Sequence, residues 1–267
     1  MTLCLRRPRP ELVVRTDGQE LRPLVATITD PAEVADIDWV FLAVKAQQTP
    51  DTAPWLPALD RGASLVMMQN GVRLPSRVDG LWSGPTMPAV VYCPAEVVSP
   101  GVIEVRGRGY VHVQDDECGR ALAAAFGPEQ DEVVPVPDFA RTAWEKLVSN
   151  AAVNSLTALT CRRVEVMREP GVAAIGQAIM AECAAVAAAE GVTTSVTIVD
   201  DTLARMQASP AGMGSSMYYD RVAGRELEHE ALVGAVVSIG AEHGVPTPVS
   251  AMVLDLLRAV SGQPLPG

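Results

Sequence analysis

An α/β domain followed by an all-α domain is the architecture this sequence predicts, and three observations carry the prediction. Short apolar, β-branched runs alternate with helix-like stretches through the first half of the chain. From Pro137-Asp138 onward the spacing of apolar positions becomes helical and stays so to about Val260. Hydrophobic residues make up 48% and charged residues 20% of the 267, enough to bury two cores at roughly 100 to 200 residues per domain. The predicted domains are residues 1–137 and 138–267.

Trp39-Val40-Phe41-Leu42-Ala43-Val44 follows Asp36-Ile37-Asp38 as a near-continuous apolar run, as expected of a parallel strand covered on both faces. Ser64-Leu65-Val66-Met67-Met68 is a second such run. Ahead of the first, Thr29-Asp30-Pro31-Ala32-Glu33 reads as a capped helix start with Pro at the first helical position, so the pattern is βαβ. Met87 to Tyr92, Val102 to Val105, Tyr110 to Val113 and Val133 to Val136 are predicted strands, punctuated by Gly and Pro, in an antiparallel extension of the same sheet. Asp138 is the predicted N-cap of the first of four or five helices. Within them the Ala-rich stretch Ile175 to Val192 carries Glu182 and Glu190 and reads as a buried helix rather than a membrane span. The Pro/Gly-rich tail, Ser261 to Gly267, is predicted to fray.

A net charge of −11 repels phosphate backbones and anionic headgroups, which argues against nucleic acid and membrane surfaces as partners. An anionic small molecule would need a local cation set against that field. Five scattered cysteines without a C-x-x-C pair read as reduced thiols of a cytoplasmic protein. The three histidines match no zinc spacing, so no metal is predicted. Arg6 and Arg7 interrupt the opening residues, leaving no apolar stretch of signal-peptide length there.

The most informative segment is Ala143 to Thr157. Lys146, Asn150 and Asn154 stand at i, i+4 and i+8 on one helix face, while Leu147, Val148, Ala151, Ala152, Val153 and Leu156 make the rest apolar. Two Asn inside a helix cost ~1 kcal/mol relative to Ala. A solvent-facing stripe is the plainer reading, but such a face normally mixes charges of both signs, and this one is a lone cation followed by neutral amides. A Lys among amides on an apolar helix suits a carboxylate or carbonyl ligand. Partial desolvation would also lower its pKa towards the range useful for proton transfer.

The run Trp144-x-Lys146-Leu147-x-x-Asn150-x-x-x-Asn154-x-Leu156-Thr157-Ala158-Leu159 resembles the W-x-K-L-x-x-N-x-x-x-N-P-L-T-A-L motif of the ketopantoate (2-dehydropantoate) reductases, with Ser155 in place of Pro. Val44-Lys45-Ala46, Gln69-Asn70-Gly71-Val72, Ser215-Ser216-Met217-x-x-Asp220-x-x-x-Gly224-Arg225-x-x-Glu228 and His243-Gly244-Val245-Pro246-Thr247-Pro248 resemble further motifs of that family in collinear order. Taken singly each has a plain reading: Asn70-Gly71 as a turn, Ser215-Ser216 as a helix cap, Glu228 as a solvated helix residue and Lys45 as a strand-end charge. Gly212-Met213-Gly214 lacks the preceding strand and third Gly of a dinucleotide fingerprint and is not read as one.

The resemblance implies a Rossmann-like first domain and a second domain of the 6-phosphogluconate-dehydrogenase-like helical type. It implies NADPH as cofactor and a 2-oxo acid, ketopantoate first, as substrate in a pantothenate-pathway type of reduction. It casts Lys146 as general acid and Glu228 as its partner or the partner of the substrate hydroxyl. Asn70, Asn150, Asn154 and Ser216 become substrate contacts. Arg6, at the end of Thr2-Leu3-Cys4-Leu5-Arg6, becomes the 2′-phosphate contact with Arg7 behind it, and Lys45 and Asn70 lie beside the cofactor. A homodimer is compatible with it.

The family's strand, G-x-G-x-x-G turn and helix have no counterpart upstream of Lys45, so the first domain is expected to be incomplete, its first βα unit lying upstream of Met1. Arg163-Val164-Glu165-Val166 stands where the family has an N-G-E-L-like stretch, and Val233-Gly234 where Asn-Gly often follows the Glu. Two alternatives stay open: a non-catalytic remnant that no longer binds NADPH, and a reductase of another 2-oxo acid or of an imine.

Overall fold

The computed structural model describes residues 1–7, 11–34, 37–59, 62–127, 132–210 and 212–264. Asp36, before the first predicted strand, and the last three residues of the tail lie outside these. The chain divides into two compact units, Met1–Gln69 with Arg73–Phe139, and Asn70–Val72 with Ala140–Gly267.

The first unit runs β1 (Thr2–Cys4), β2 (Val13–Thr16), β3 (Gln19–Leu21), β4 (Ala26–Ile28), β5 (Trp39–Leu42), α1 (Leu56–Leu59), β6 (Ser64–Met67), β7 (Thr86–Pro88), β8 (Val90–Tyr92), β9 (Ala95–Ser99), β10 (Val102–Val105), β11 (Tyr110–Gln114), α2 (Glu117–Phe126) and β12 (Val133–Val136). The two predicted apolar runs become β5 and β6, paired in parallel with Trp39 opposite Ser64, and β7 extends the same sheet in parallel. Leu65, Val66 and Met67 have no exposed surface, as a strand covered on both faces requires. β5 departs from that expectation. It is the edge of its three-stranded sheet, and Phe41 stays 42% exposed, edge-on to Phe126.

The predicted helix start at Thr29–Glu33 grows into one 3-10 turn only, Pro31–Glu33. Its cap is as read: Asp30 Oδ1 accepts from Ala32 N at 2.9 Å, and Glu33 Oε1 accepts from Asp30 N at 3.2 Å. The single strand predicted over Met87 to Tyr92 divides at buried Ala89, because β7 pairs with β6 while β8 pairs antiparallel with β11. The antiparallel extension is therefore partial. β12 joins β11 in parallel through the crossover helix α2, and β10 lies in a separate four-stranded sheet, order β3-β2-β10-β9. α2 packs so closely that a Cβ on Gly119 would lie 2.0 Å from the Gln114 carbonyl oxygen. The β2–β3 hairpin turns on Asp17 and Gly18, both at positive φ (47° and 75°), the backbone of a type I′ turn. That Asp-Gly signal stood in the sequence and the strand prediction passed over it.

The second unit is a helical bundle: α3 (Phe139–Thr160), α4 (Pro170–Ala189), α5 (Ile198–Gln207), α6 (Ser216–Val222), α7 (Val233–His243) and α8 (Pro248–Val260). Six helices are thus described, against four or five predicted; α6 is too short for its periodicity to stand out. α3 is buried nearly all round, with Trp144, Leu147, Val148, Ala151, Ala152 and Ala158 in one continuous core, which makes it the central helix. α4 is long and apolar enough by length and composition to span a bilayer, but Ala173, Gly176, Ile179, Met180, Cys183 and Val186 present a helical stripe to the bundle core. Pro170 and Pro248 occupy first-turn positions of α4 and α8, where their missing N–H costs nothing. Glu182 on α4 accepts from Val249 N and Ser250 N at 2.9 and 2.8 Å, capping α8 from a neighbouring helix.

Candidate functional site

In the first unit the parallel strands end in polar loops. β5 stops at Leu42, so Lys45, expected at the strand end, instead precedes a 3-10 helix over Ala46–Thr52; its backbone N–H donates to Gln48 Oε1 at 3.3 Å. Gln69, just beyond β6, is buried. Its Nε2 donates to Val44 O at 3.1 Å and Thr49 Oγ1 at 2.8 Å, and its Oε1 accepts from Arg77 at 3.4 Å. One carboxamide thereby ties the residue before Lys45 to the residue before Asn70. The sequence reading assigned Asn70 and missed Gln69, although a polar residue directly after an apolar strand run is a signal of such a tie. Arg6 follows β1 and pairs with Asp51 at 3.0 Å, their side chains 70% and 52% exposed. An ion pair that wet is worth little and opens easily.

In the second unit Lys146, Asn150 and Asn154 follow one another at successive turns of α3. Lys146 is partly buried, and loss of hydration pushes its ammonium pKa down from 10.5 to about 8. Asn150 is half-buried. Asn154 is only 4% exposed, and its Oδ1 stands 3.4 Å from Ser216 Oγ and 3.5 Å from Met217 N, at the start of α6. Beside it, Thr157 Oγ1 and Ser215 Oγ share a 2.7 Å hydrogen bond, and Ser215 Oγ also accepts from Tyr218 N at 3.0 Å. Ser215 thus is the helix cap its sequence position suggested, and Ser216 is the residue turned to Asn154.

Asn70 clusters with this unit. Its Nδ2 donates to Glu228 Oε2 at 3.3 Å. Glu228 is 5% exposed, not the solvated helix residue of the plain reading. Gly71 takes φ 103°, a backbone open to glycine alone at little cost. The structure therefore brings Asn154 to Ser216 and Asn70 to Glu228, and sets Lys146 and Asn150 on the helix that carries Asn154. Arg6 and Lys45 stand in the first unit. Among the described residues no group of His, Cys, Asp or Glu is arranged to hold a metal ion.

Loops beyond the parallel strands carry Lys45 and Gln69, and the central helix of the bundle carries a partly desolvated lysine followed by two carboxamides. Residues 1–117 match the family model described as ketopantoate reductase PanE/ApbA, and residues 138–261 match its C-terminal counterpart. The chain belongs to the ketopantoate reductase family. The 2-dehydropantoate 2-reductase of Caulobacter vibrioides is 34% identical over 263 residues, 98% of this chain and 90% of that protein. That of Mycobacterium tuberculosis is 35% identical over 268 residues, with the same coverage. The dimeric ketopantoate reductase of Staphylococcus aureus superposes with a TM-score of 0.82 at 26% identity, over 96% of this chain and 87% of that one. The protein is accordingly an oxidoreductase of the 2-dehydropantoate 2-reductase type, a class that reduces 2-oxo acids.

Proposed function

We propose that the protein reduces the C2 carbonyl of ketopantoate with NADPH, and that Lys146 is the proton donor. The observation that carries this reading is the partly desolvated ammonium of Lys146 on the α3 face shared with Asn150 and Asn154. With its pKa near 8, Lys146 is charged at neutral pH yet releases its proton more readily than an exposed lysine, the balance a general acid needs. As the carbonyl oxygen gains charge, the ammonium first stabilises it and then protonates it. Asn150, Asn154 and Ser216 hold the carboxylate and hydroxyl groups of the substrate. Asn70 joins them in holding these groups, and Glu228 hydrogen-bonds the hydroxyl or orients Lys146.

The nicotinamide cofactor supplies the hydride when bound. Arg6 fits the 2′-phosphate that distinguishes NADPH, since its present partner Asp51 is exposed and readily given up; Arg7 stands next to it. Lys45 and Asn70, in loops beyond parallel strands, lie where α/β sheets of this kind receive ligands. Five free cysteines suit a reducing cytoplasm, and the dimeric Staphylococcus relative makes a homodimer the assembly proposed here.

The decisive experiment is Lys146→Ala. Loss of a general acid predicts a fall in kcat of about 10²-fold or more, with NADPH affinity, followed by tryptophan fluorescence, unchanged. An unaltered kcat would reject the role. A panel of 2-oxo acids and imines identifies the substrate: the reading predicts the highest kcat/KM for ketopantoate. Arg6→Ala is predicted to narrow the preference for NADPH over NADH by about tenfold, the worth of a charge-assisted hydrogen bond. An unchanged ratio would remove Arg6 from the cofactor site.

A further inference from the structure

Gly212-Met213-Gly214, which reads as no cofactor loop, closes the connection from α5 to α6 and leads directly into Ser215 and Ser216. Gly212 takes φ 91°, and a Cβ on Gly214 would lie 2.7 Å from Tyr219 and 2.9 Å from Tyr218. Gly214 lets the chain pass tightly against the two rings, Gly212 supplies the positive φ beside Arg163, and both raise the entropy that ordering this segment must overcome. Two arginines of one short segment supply the ordering contacts. At its C-terminal end Arg168 donates from Nε to Gln207 O at 2.9 Å and from a terminal nitrogen to Ser209 O at 2.8 Å, holding the start of the connection. At its N-terminal end Arg163 donates to Gly212 O and lies 5.6 Å over the Tyr218 ring, while Val164 N donates to Met213 O at 2.9 Å.

We propose that Arg163 is a positioning residue for substrate: by clamping Gly212 and the Tyr218 ring from outside, it sets the place of Ser216 against Asn154. The inference rests on the reading of Asn154 and Ser216 as substrate contacts. Thr157 holds the same corner from inside through Ser215. The 3.4 and 3.5 Å approaches of Ser216 Oγ and Met217 N to Asn154 Oδ1 are long for hydrogen bonds, so they do not fix the corner by themselves. The planar guanidinium of Arg163 donates and stacks at once, which a lysine ammonium cannot do.

Three variants test this: Arg163→Ala, Ser216→Ala and the pair together. The expected result for Arg163→Ala is faster amide exchange over residues 212–218 and a KM for the 2-oxo acid raised about threefold or more, the size of one lost hydrogen bond. Its kcat, NADPH affinity and Tm should stay near the native values. In the Ser216→Ala background the same change should add little, because the group being positioned is gone. Arg163→Lys should recover part of the KM. Native exchange over 212–218 in Arg163→Ala, or a KM effect that adds in full to that of Ser216→Ala, overturns the clamp. A native KM in Ser216→Ala instead removes Ser216 from the substrate site, and the proposal goes with it, whatever the exchange data show for the loop.

Discussion

Lys146 carries opposite costs for chemistry and for stability. In the fold it loses its proton near pH 8, in the unfolded chain near 10.5. Between those values the unfolded chain holds a proton the native state has shed, so stability rises with pH across that window and is lowest below it. A fall from 10.5 to about 8 corresponds to at most about 3.5 kcal/mol at about 1.4 kcal/mol per pH unit. Lys146→Met is therefore predicted to raise the calorimetric Tm at pH 7 while abolishing turnover; a lowered Tm would mean that the charge is better satisfied than its burial implies. The same titration predicts that kcat/KM falls above about pH 8, since the donor must be protonated. The Lys146–Asn150–Asn154 face was legible from spacing alone. The burial of Glu228 and the contact between Asn154 and Ser216 were not, because they join residues 158 and 62 positions distant from their partners.

Elements are held to one another by a few buried polar ties and close approaches. Gln69 bridges the loops after β5 and β6, and its replacement by Leu leaves Val44 O and Thr49 Oγ1 without that donor. The expected cost is about 1–3 kcal/mol in denaturant unfolding, with a raised KM as Lys45 and Asn70 lose their common anchor. On α2, Gly119→Ala cannot be absorbed by a side-chain shift, because the obstacle at 2.0 Å is the backbone carbonyl of Gln114. A strong loss of Tm is expected, and a native-like Tm would show that α2 packs less closely. The parallel runs of β5 and β6 were legible because buried strands are apolar throughout. The division of Met87 to Tyr92 between two sheets was not, since a strand's residues do not name its partner. The Asp17-Gly18 hairpin was legible and unread.

At the scale of the whole molecule the two units differ in how their cores are built. The helical unit has one continuous core through α3, α4, α7 and α8, whereas the α/β unit has two smaller clusters, around Leu65 and Met67 on one side and Val66, Met87 and Val113 on the other. The slowest-exchanging amides should therefore lie in α3, α4 and α7, with the α/β unit opening at lower free energy. NADPH at 100 times its Kd should stabilise the native protein by about 2.7 kcal/mol if it binds there, read as a shift of the unfolding midpoint; no shift would count against a cofactor site.

By itself the sequence determined the change from strand to helix periods near residue 138, the polar face of the central helix and the family to which the chain belongs. Those are short-range properties, written in the spacing of neighbouring side chains. Only the tertiary structure decided which strands pair, that Glu228 meets Asn70, that Gln69 ties two loops and that Arg163 meets the Gly212 carbonyl and the Tyr218 ring. Such contacts form where distant segments are brought together by burial of apolar surface, and no local pattern states which segments those are.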